Sequence, residues 1–158
     1  MEPIYLDNNA TTRCDPAVVE AMLPFFTEHF GNASSIHAFG SEVGKALKKA
    51  RGQVQALLGA EHDSEIIFTS CGTESDSTAI LSALKAQPER NTVITTNVEH
   101  PAILTLCEWL EKAGYIVHKL QVDKKGRLDL DAYKSKLQDN VVIVSLMMSQ
   151  YEPPPIYP

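Results

Sequence analysis

The turn at residues 70–73 of the sequence, Ser-Cys-Gly-Thr, has the residue types that bind an anion. It follows a β-branched and aromatic run and precedes a helical pattern. A helix that begins here leaves backbone N–H groups unpaired, so Gly72 and Thr73 suit a phosphate monoester. The turn lacks the Gly-Lys pair of a Walker loop and does not match GxGxxG. An ordinary strand-to-helix turn, with Gly72 present only for its backbone angles, remains an open alternative.

The stretch TTNVEHPAIL places a histidine, His100, between a strand pattern and a helix that opens with Pro101. In an α/β sheet this position is the carboxyl end of a strand, where ligands bind. It is also the edge on which the turn at residues 70–73 is expected. An imidazole there could stack on an aromatic ligand or move a proton near neutral pH. A helix-capping or merely exposed histidine is the more ordinary interpretation.

Other candidate residues carry weaker signals. Cys71 stands at a helix start, which lowers a thiol pKa, but no base is evident beside it and we favour a packing role. Cys107 falls on the apolar face of its helix and is expected in the core. His37 lies in a small-residue loop, where a histidine is usually solvated. Of His118 and Lys119, the strand alternation makes one simply solvent-facing.

Strand patterns alternate with helical patterns along the chain, which predicts an α/β fold with a mostly parallel sheet and flanking helices. The strands are expected at residues 65–70, 91–98, 115–123 and 140–148, and the helices at 15–26, 41–59, 73–86, 100–114 and 129–137. Asp15 is the expected N-cap of the first helix and Gly59 the C-cap of the second. The last strand pattern is fully apolar and expects a neighbour on each side, so either another chain completes the sheet or residues 1–148 are part of a larger design.

The last ten residues break this pattern. Four prolines fall within the final six positions, so regular structure must stop near Ser149. We interpret residues 149–158 as a divergent Pro-rich tail, either a frayed chain end or a polyproline II ligand for a partner.

Composition narrows the class of protein. The 158 residues are 44% hydrophobic and 22% charged, with a formal net charge of −6. No basic cluster favours nucleic acid, and no apolar run is long enough to span a bilayer. The three cysteines have neither disulfide-framework nor zinc spacing, which fits a reducing compartment. We expect a cytoplasmic protein.

Four motifs in this order resemble those of the cysteine desulfurases, and especially of their nitrogen-fixation branch. They are YLDNNATT, FGNASSIHAFG, IFTSCGTESD and VEHPAIL. The resemblance extends from about Ile4 to Met147. It places the chain with the class V aminotransferase group of fold type I pyridoxal-phosphate enzymes, as the amino-terminal portion of the large domain.

The resemblance implies roles for three residues. Gly72 and Thr73 match the positions that bind the phosphate of pyridoxal 5'-phosphate. His100 matches the catalytic histidine that stacks on the pyridine ring and helps proton transfer. The family removes sulfur from L-cysteine, leaves alanine, and passes the sulfur to a scaffold protein for iron–sulfur cluster assembly. The resemblance also implies a homodimer.

The sequence departs from the family pattern near its end. Gln150 and Tyr151 stand where the family has two asparagines, and only Glu152 agrees. No lysine of this chain matches the one that binds the cofactor covalently, and no cysteine matches the sulfur acceptor. We therefore expect an amino-terminal fragment that is inactive alone. A non-catalytic remnant that binds an intact desulfurase or scaffold protein is the main alternative, and an anion-binding α/β module unrelated to sulfur is another.

Overall fold

The computed structural model describes residues 4–8 and 10–148. These fall into two compact units, an amino-terminal unit (Met1–Phe68) and a sheet unit (Thr69–Pro158). The predicted tail at residues 149–158 lies outside the described residues. Within the described range, no helix has both the length and the apolar content that a bilayer crossing requires.

The amino-terminal unit is helical. It contains α1 (Pro16–Met22), α2 (Pro24–Thr27), α3 (Ala38–Leu58) and a 3-10 turn at Asp63–Glu65. The Asp15 side chain accepts a hydrogen bond from the Ala17 N–H at 2.8 Å, which confirms the predicted N-cap of α1. Gly59 ends α3 with a φ of 70°, as its C-cap assignment predicts.

The sheet unit alternates helices and strands. Its elements are α4 (Gly72–Ala86), β1 (Thr92–Thr96), α5 (Pro101–Lys112), β2 (Ile116–Leu120), α6 (Leu130–Lys136) and β3 (Val141–Val144). The strands form a parallel three-stranded sheet in the order β2-β1-β3, with Thr92 opposite both Ile116 and Val141. The predicted α/β class and parallel strands are confirmed.

The core of the sheet unit lies on both faces of β1, whose five residues are all buried. On one face Val93 packs with α4 and α5, through Ile80, Leu84, Ile103, Cys107 and Leu110. On the other face Ile94 packs with Leu120 and Val141, and Tyr133 of α6 packs against this group. Because β1 is covered on both sides, its short run of Thr, Val and Ile reads as a buried parallel strand.

Three predictions about local structure are wrong in informative ways. Residues 66–69 form no strand, because no described strand pairs with them; instead the Arg51 guanidinium donates to the Ile66 carbonyl and lies 5.0 Å from the centre of the Phe68 ring. The expected helix at residues 15–26 divides before Pro24, which cannot donate an N–H to a continuing helix.

The third wrong prediction concerns α3, which was expected to begin at residue 41. The apolar side of this helix is also largely open. Its residues Leu47, Leu57 and Leu58 are 42%, 83% and 70% exposed. The helix also begins three residues earlier than predicted, at Ala38, because the loop before it packs closely. A Cβ added to Gly40 would lie 2.4 Å from the Asn32 carbonyl oxygen, so only glycine fits there.

Candidate functional site

The starts of α4 and α5 lie at the same edge of the sheet. Only residues 87–91 join the end of α4 to the start of β1, and α4 is about 22 Å long, so its first turn is expected toward the carboxyl end of that strand. α5 begins four residues after β1 ends, at the same edge. The two helices share the Val93 face of the sheet and contact one another. Gly72, Thr73 and His100 are thus placed at neighbouring helix N-termini.

The first turn of α4 presents unpaired donors. Neither the Gly72 amide nor the Thr73 hydroxyl has a hydrogen-bond partner among the described residues. The Thr73 and Glu74 amides lie against the Cys71 thiol, and the first intrahelical bond is from the Ser75 N–H to the Cys71 carbonyl. Gly72, Thr73 and Glu74 are exposed, and a Cβ added to Gly72 would meet no heavy atom within 4 Å. Such a helix start favours an anion through its donors and its dipole.

Two side chains at this helix start, the Glu74 carboxyl and the Cys71 thiol, have a lowered pKa. The Glu74 carboxylate accepts hydrogen bonds from the Ser70 hydroxyl at 2.6 Å and the Ser70 N–H at 2.7 Å, which lower its pKa. The Glu74 amide, and after it the Ser70 hydroxyl, lower the pKa of the Cys71 thiol. The surroundings therefore favour negative charge, although the Glu74 carboxylate itself would repel a second anion.

His100 is the N-cap of α5. Its Nδ1 accepts a hydrogen bond from the Ala102 N–H at 3.1 Å, and its side chain is exposed. This histidine is therefore a helix cap, as the ordinary interpretation expects. The cap also fixes the tautomer of the ring. Because Nδ1 accepts a hydrogen bond, the neutral imidazole carries its proton on Nε2.

Glu99 is a buried carboxylate that sequence reasoning missed. It is 7% exposed, and its Oε1 accepts from the Thr96 hydroxyl at 2.8 Å and from the Met147 N–H at 3.0 Å. A glutamate that precedes His-Pro looks like an ordinary solvated residue at a helix entry. The only signal in the sequence is its position after a β-branched strand pattern of Thr, Val and Ile, at the edge where ligands bind.

The weaker candidates take other places. Cys71 is exposed, so the packing role expected for it is wrong; Cys107 is fully buried as predicted, and burial raises the pKa of its thiol. His37 is exposed and caps α3. Neither His118 nor Lys119 is fully exposed, and the Lys119 ammonium bonds Glu111 of α5 at 2.9 Å. In the described range, no group of three or more His, Cys, Asp or Glu side chains could hold a metal ion.

Comparison with known proteins decides the family. A profile described as aminotransferase class-V matches residues 4–151. The chain belongs to the aminotransferase class-V family. This agrees with the resemblance carried by the four sequence motifs.

Curated proteins resemble the chain over its whole length. It is 70% identical to the cysteine desulfurase NifS of Azotobacter vinelandii, of which it covers 39%, and 62% identical to a cysteine desulfurase of Gluconacetobacter diazotrophicus, of which it covers 40%. The chain thus spans about two fifths of the length of these relatives.

Solved structures share the fold of this chain. A protein named NifS-like superposes with a TM-score of 0.88 at 37% identity, over 94% of this chain and 41% of the other. A structure titled SspA in complex with cysteine gives a TM-score of 0.79 at 28% identity, over 90% of this chain and 41% of the other. The predicted fold, an incomplete fold type I large domain, is confirmed by these matches.

Proposed function

We propose that this chain supplies the phosphate-binding and ring-stacking part of a pyridoxal 5'-phosphate site in a cysteine desulfurase. The observation that carries the proposal is that two helices in contact on one face of the sheet begin with candidate groups, α4 with free donors in its first turn and α5 with a histidine cap. The names of the curated relatives support the same activity. The roles of individual residues rest on both the helix starts and the names of the relatives.

The first turn of α4 fits a phosphoryl group. The Gly72 amide and the Thr73 hydroxyl have no acceptor among the described residues, the Thr73 and Glu74 amides face only the Cys71 thiol, and the open space over Gly72 leaves the backbone accessible. A dianionic phosphoryl group would gain several charge-assisted hydrogen bonds there. When bound, pyridoxal phosphate supplies an electron sink for negative charge at the α-carbon of an amino acid. In this proposal Gly72 and Thr73 bind and orient its phosphate.

His100 would lie against the ring of the same ligand. Its Nδ1 is engaged by the Ala102 N–H, so the face of the imidazole and its Nε2 remain for the ligand and the substrate. Stacking orients the ring, and Nε2 is the atom that would hold or release a proton. His100 is therefore the proposed catalytic residue of this chain.

The proposed substrate is L-cysteine, which the complete enzyme would convert to alanine while sulfur passes toward iron–sulfur cluster assembly. A homodimer, a scaffold-protein partner and a cytoplasmic location belong to the same proposal. We also propose that these 158 residues do not turn over alone, because none of their lysines or cysteines stands in the family context for covalent cofactor binding or sulfur transfer. Sulfide release from L-cysteine by the purified chain would contradict this part.

The test is equilibrium binding of pyridoxine 5'-phosphate, which has no aldehyde and cannot react with surface lysines. We expect it to bind more tightly than pyridoxine, which lacks the phosphate. Thr73→Val should weaken binding by about tenfold or more, because a hydrogen bond to a charged group is lost. His100→Asn, which keeps a helix-capping oxygen, should weaken it about two- to tenfold.

A matched control is His62→Asn, which changes an exposed histidine of the amino-terminal unit and should leave binding unchanged. Equal binding of the phosphorylated and unphosphorylated ligands would refute the phosphate assignment. Equal effects of the His100 and His62 substitutions would refute the stacking assignment.

A non-catalytic role in binding an intact desulfurase or scaffold protein is the second candidate function. The observation that favours it is apolar surface: Ile36 and Met148 are fully exposed, and β3 has a ladder partner only on its β1 side within the described range. Open strand edges and apolar patches recruit partner chains. Co-purification with an intact desulfurase, abolished by Met148→Lys, would favour this role over the cofactor proposal.

A further inference from the structure

The ladder between β1 and β3 is interrupted at its carboxyl end. Its last backbone bond runs from the Ser145 N–H to the Ile94 carbonyl at 2.9 Å. In a regular parallel ladder the next two bonds would join the Thr96 N–H to the Ser145 carbonyl and the Met147 N–H to the Thr96 carbonyl. Instead, the Met147 N–H donates to Glu99 Oε1 at 3.0 Å. A side-chain carboxylate has replaced a backbone acceptor.

The same carboxylate oxygen also bonds β1 itself. The Thr96 hydroxyl donates to Glu99 Oε1 at 2.8 Å, so one oxygen joins the end of β1 to the segment that follows β3. On the other side of β1 the backbone pairing continues, with the Asn97 N–H bonded to the Leu120 carbonyl at 3.0 Å. β1 therefore stays paired with β2 and separates only from β3. The Glu99 side chain spans the gap between β1 and β3.

This contact constrains the next residue, which is His100. A buried side chain anchored on both strands fixes the backbone at residue 99, and the Ala102 N–H fixes the His100 ring from the other side. We propose that Glu99 is a positioning residue, whose carboxylate holds the ends of β1 and β3 apart at the spacing that presents the His100 imidazole to a ligand. This inference rests on the proposed function of His100.

The first test needs no ligand and uses NMR of the whole chain. Glu99→Met fills the same space without an acceptor, whereas Glu99→Gln keeps a carbonyl oxygen that can accept both hydrogen bonds. We expect Glu99→Met to speed exchange of the Met147 amide by about tenfold or more and to shift the Ala102 amide resonance. Glu99→Gln should restore both signals, and Glu108→Ala, at an exposed position on α5, should change neither.

The second test separates ring binding from anion binding. Glu99→Met should weaken pyridoxine 5'-phosphate binding about two- to tenfold, as His100→Asn does, and leave inorganic phosphate binding unchanged. The double variant with Glu99→Met and His100→Asn should bind pyridoxine 5'-phosphate no more weakly than the weaker of the two single variants, because both substitutions remove the same interaction. If Glu99→Met does not fold, Thr96→Val carries the same comparison, since it removes one of the two donors and keeps the carboxylate.

Each outcome decides the proposal. Additive losses in the double variant, an equal loss of inorganic phosphate binding, or an unchanged Ala102 resonance in Glu99→Met would overturn the positioning role. If the unsubstituted chain does not bind pyridoxine 5'-phosphate, the proposed function fails. The NMR signals of the Ala102 and Met147 amides in Glu99→Met then decide the positioning role. A changed Ala102 shift and faster Met147 exchange support that role, and unchanged signals overturn it.

Discussion

Replacing Leu110 with alanine is expected to destabilise the sheet unit more than almost any other single truncation. Leu110 is fully buried and packs with Ile80, Val93 and Cys107 between two helices and the sheet. Three carbon atoms removed from such a core cost about 2.4 kcal/mol of transfer free energy, at about 0.8 kcal/mol each. The residual cavity brings the expected loss to about 3–5 kcal/mol.

Urea unfolding followed by the fluorescence of Trp109, the one tryptophan of the sequence, measures this loss directly. A unit of this size has a urea m-value of about 1 kcal/mol per molar, so each kcal/mol moves the midpoint by about 1 M. The Leu110→Ala midpoint should fall by about 3 M, or the unit should be unfolded without urea. Leu110→Met keeps the volume and should cost less than about 1.5 kcal/mol.

The matched control for Leu110 is Leu57→Ala in α3, where the leucine is 83% exposed. Its effect on unfolding should stay within about 0.5 kcal/mol. A Leu110→Ala change of that small size would refute the assigned core. An equally large effect of Leu57→Ala would show that the apolar face of α3 is covered in solution.

Three further predictions follow from local chemistry. Cys71, exposed and with a lowered pKa, should be alkylated far faster than buried Cys107, whose pKa burial raises; mass spectrometry of iodoacetamide adducts reports the order, and equal rates would contradict it. Hydrogen bonds from the Arg127 N–H groups lower the pKa of Asp123 to about 2, so its contribution to stability is present above its ordinary pKa of 3.8 and is lost as the pH falls through about 2. Carboxyl NMR should record that value, and Arg127→Ala should raise it. Gly72→Ala should leave the urea midpoint unchanged or higher, since alanine favours a helix and no neighbour obstructs its Cβ, while weakening pyridoxine 5'-phosphate binding.

Local signals in the sequence predict most helix ends. The Asp15 carboxylate and the Gly59 backbone act within a few residues of their own positions, so the sequence alone is sufficient for them. The strand expected at residues 65–70 does not form, because a strand also needs a partner, which no local pattern supplies. The apolar stripe of α3 is real in the sequence, but whether it is covered depends on what packs against it.

The residues of the candidate site likewise divide into those that local sequence patterns suggest and those that they do not. Gly72, Thr73 and His100 are candidates that local patterns suggest, because each stands at a helix start that the sequence marks. Glu99 is not one of them, because its hydrogen bond to the Met147 N–H joins residues 48 positions apart. Only the three-dimensional departure of β3 from β1 turns an ordinary-looking glutamate into a buried bridge.

The most direct test of the account is a titration of the chain with pyridoxine 5'-phosphate, followed by NMR. We expect the Gly72 and Thr73 amide resonances and the His100 ring resonances to shift together, with one common midpoint, because one ligand would touch both helix starts. Shifts confined to the amides, to the imidazole, or to residues elsewhere in the chain would contradict the claim that these two helix ends form a single cofactor site.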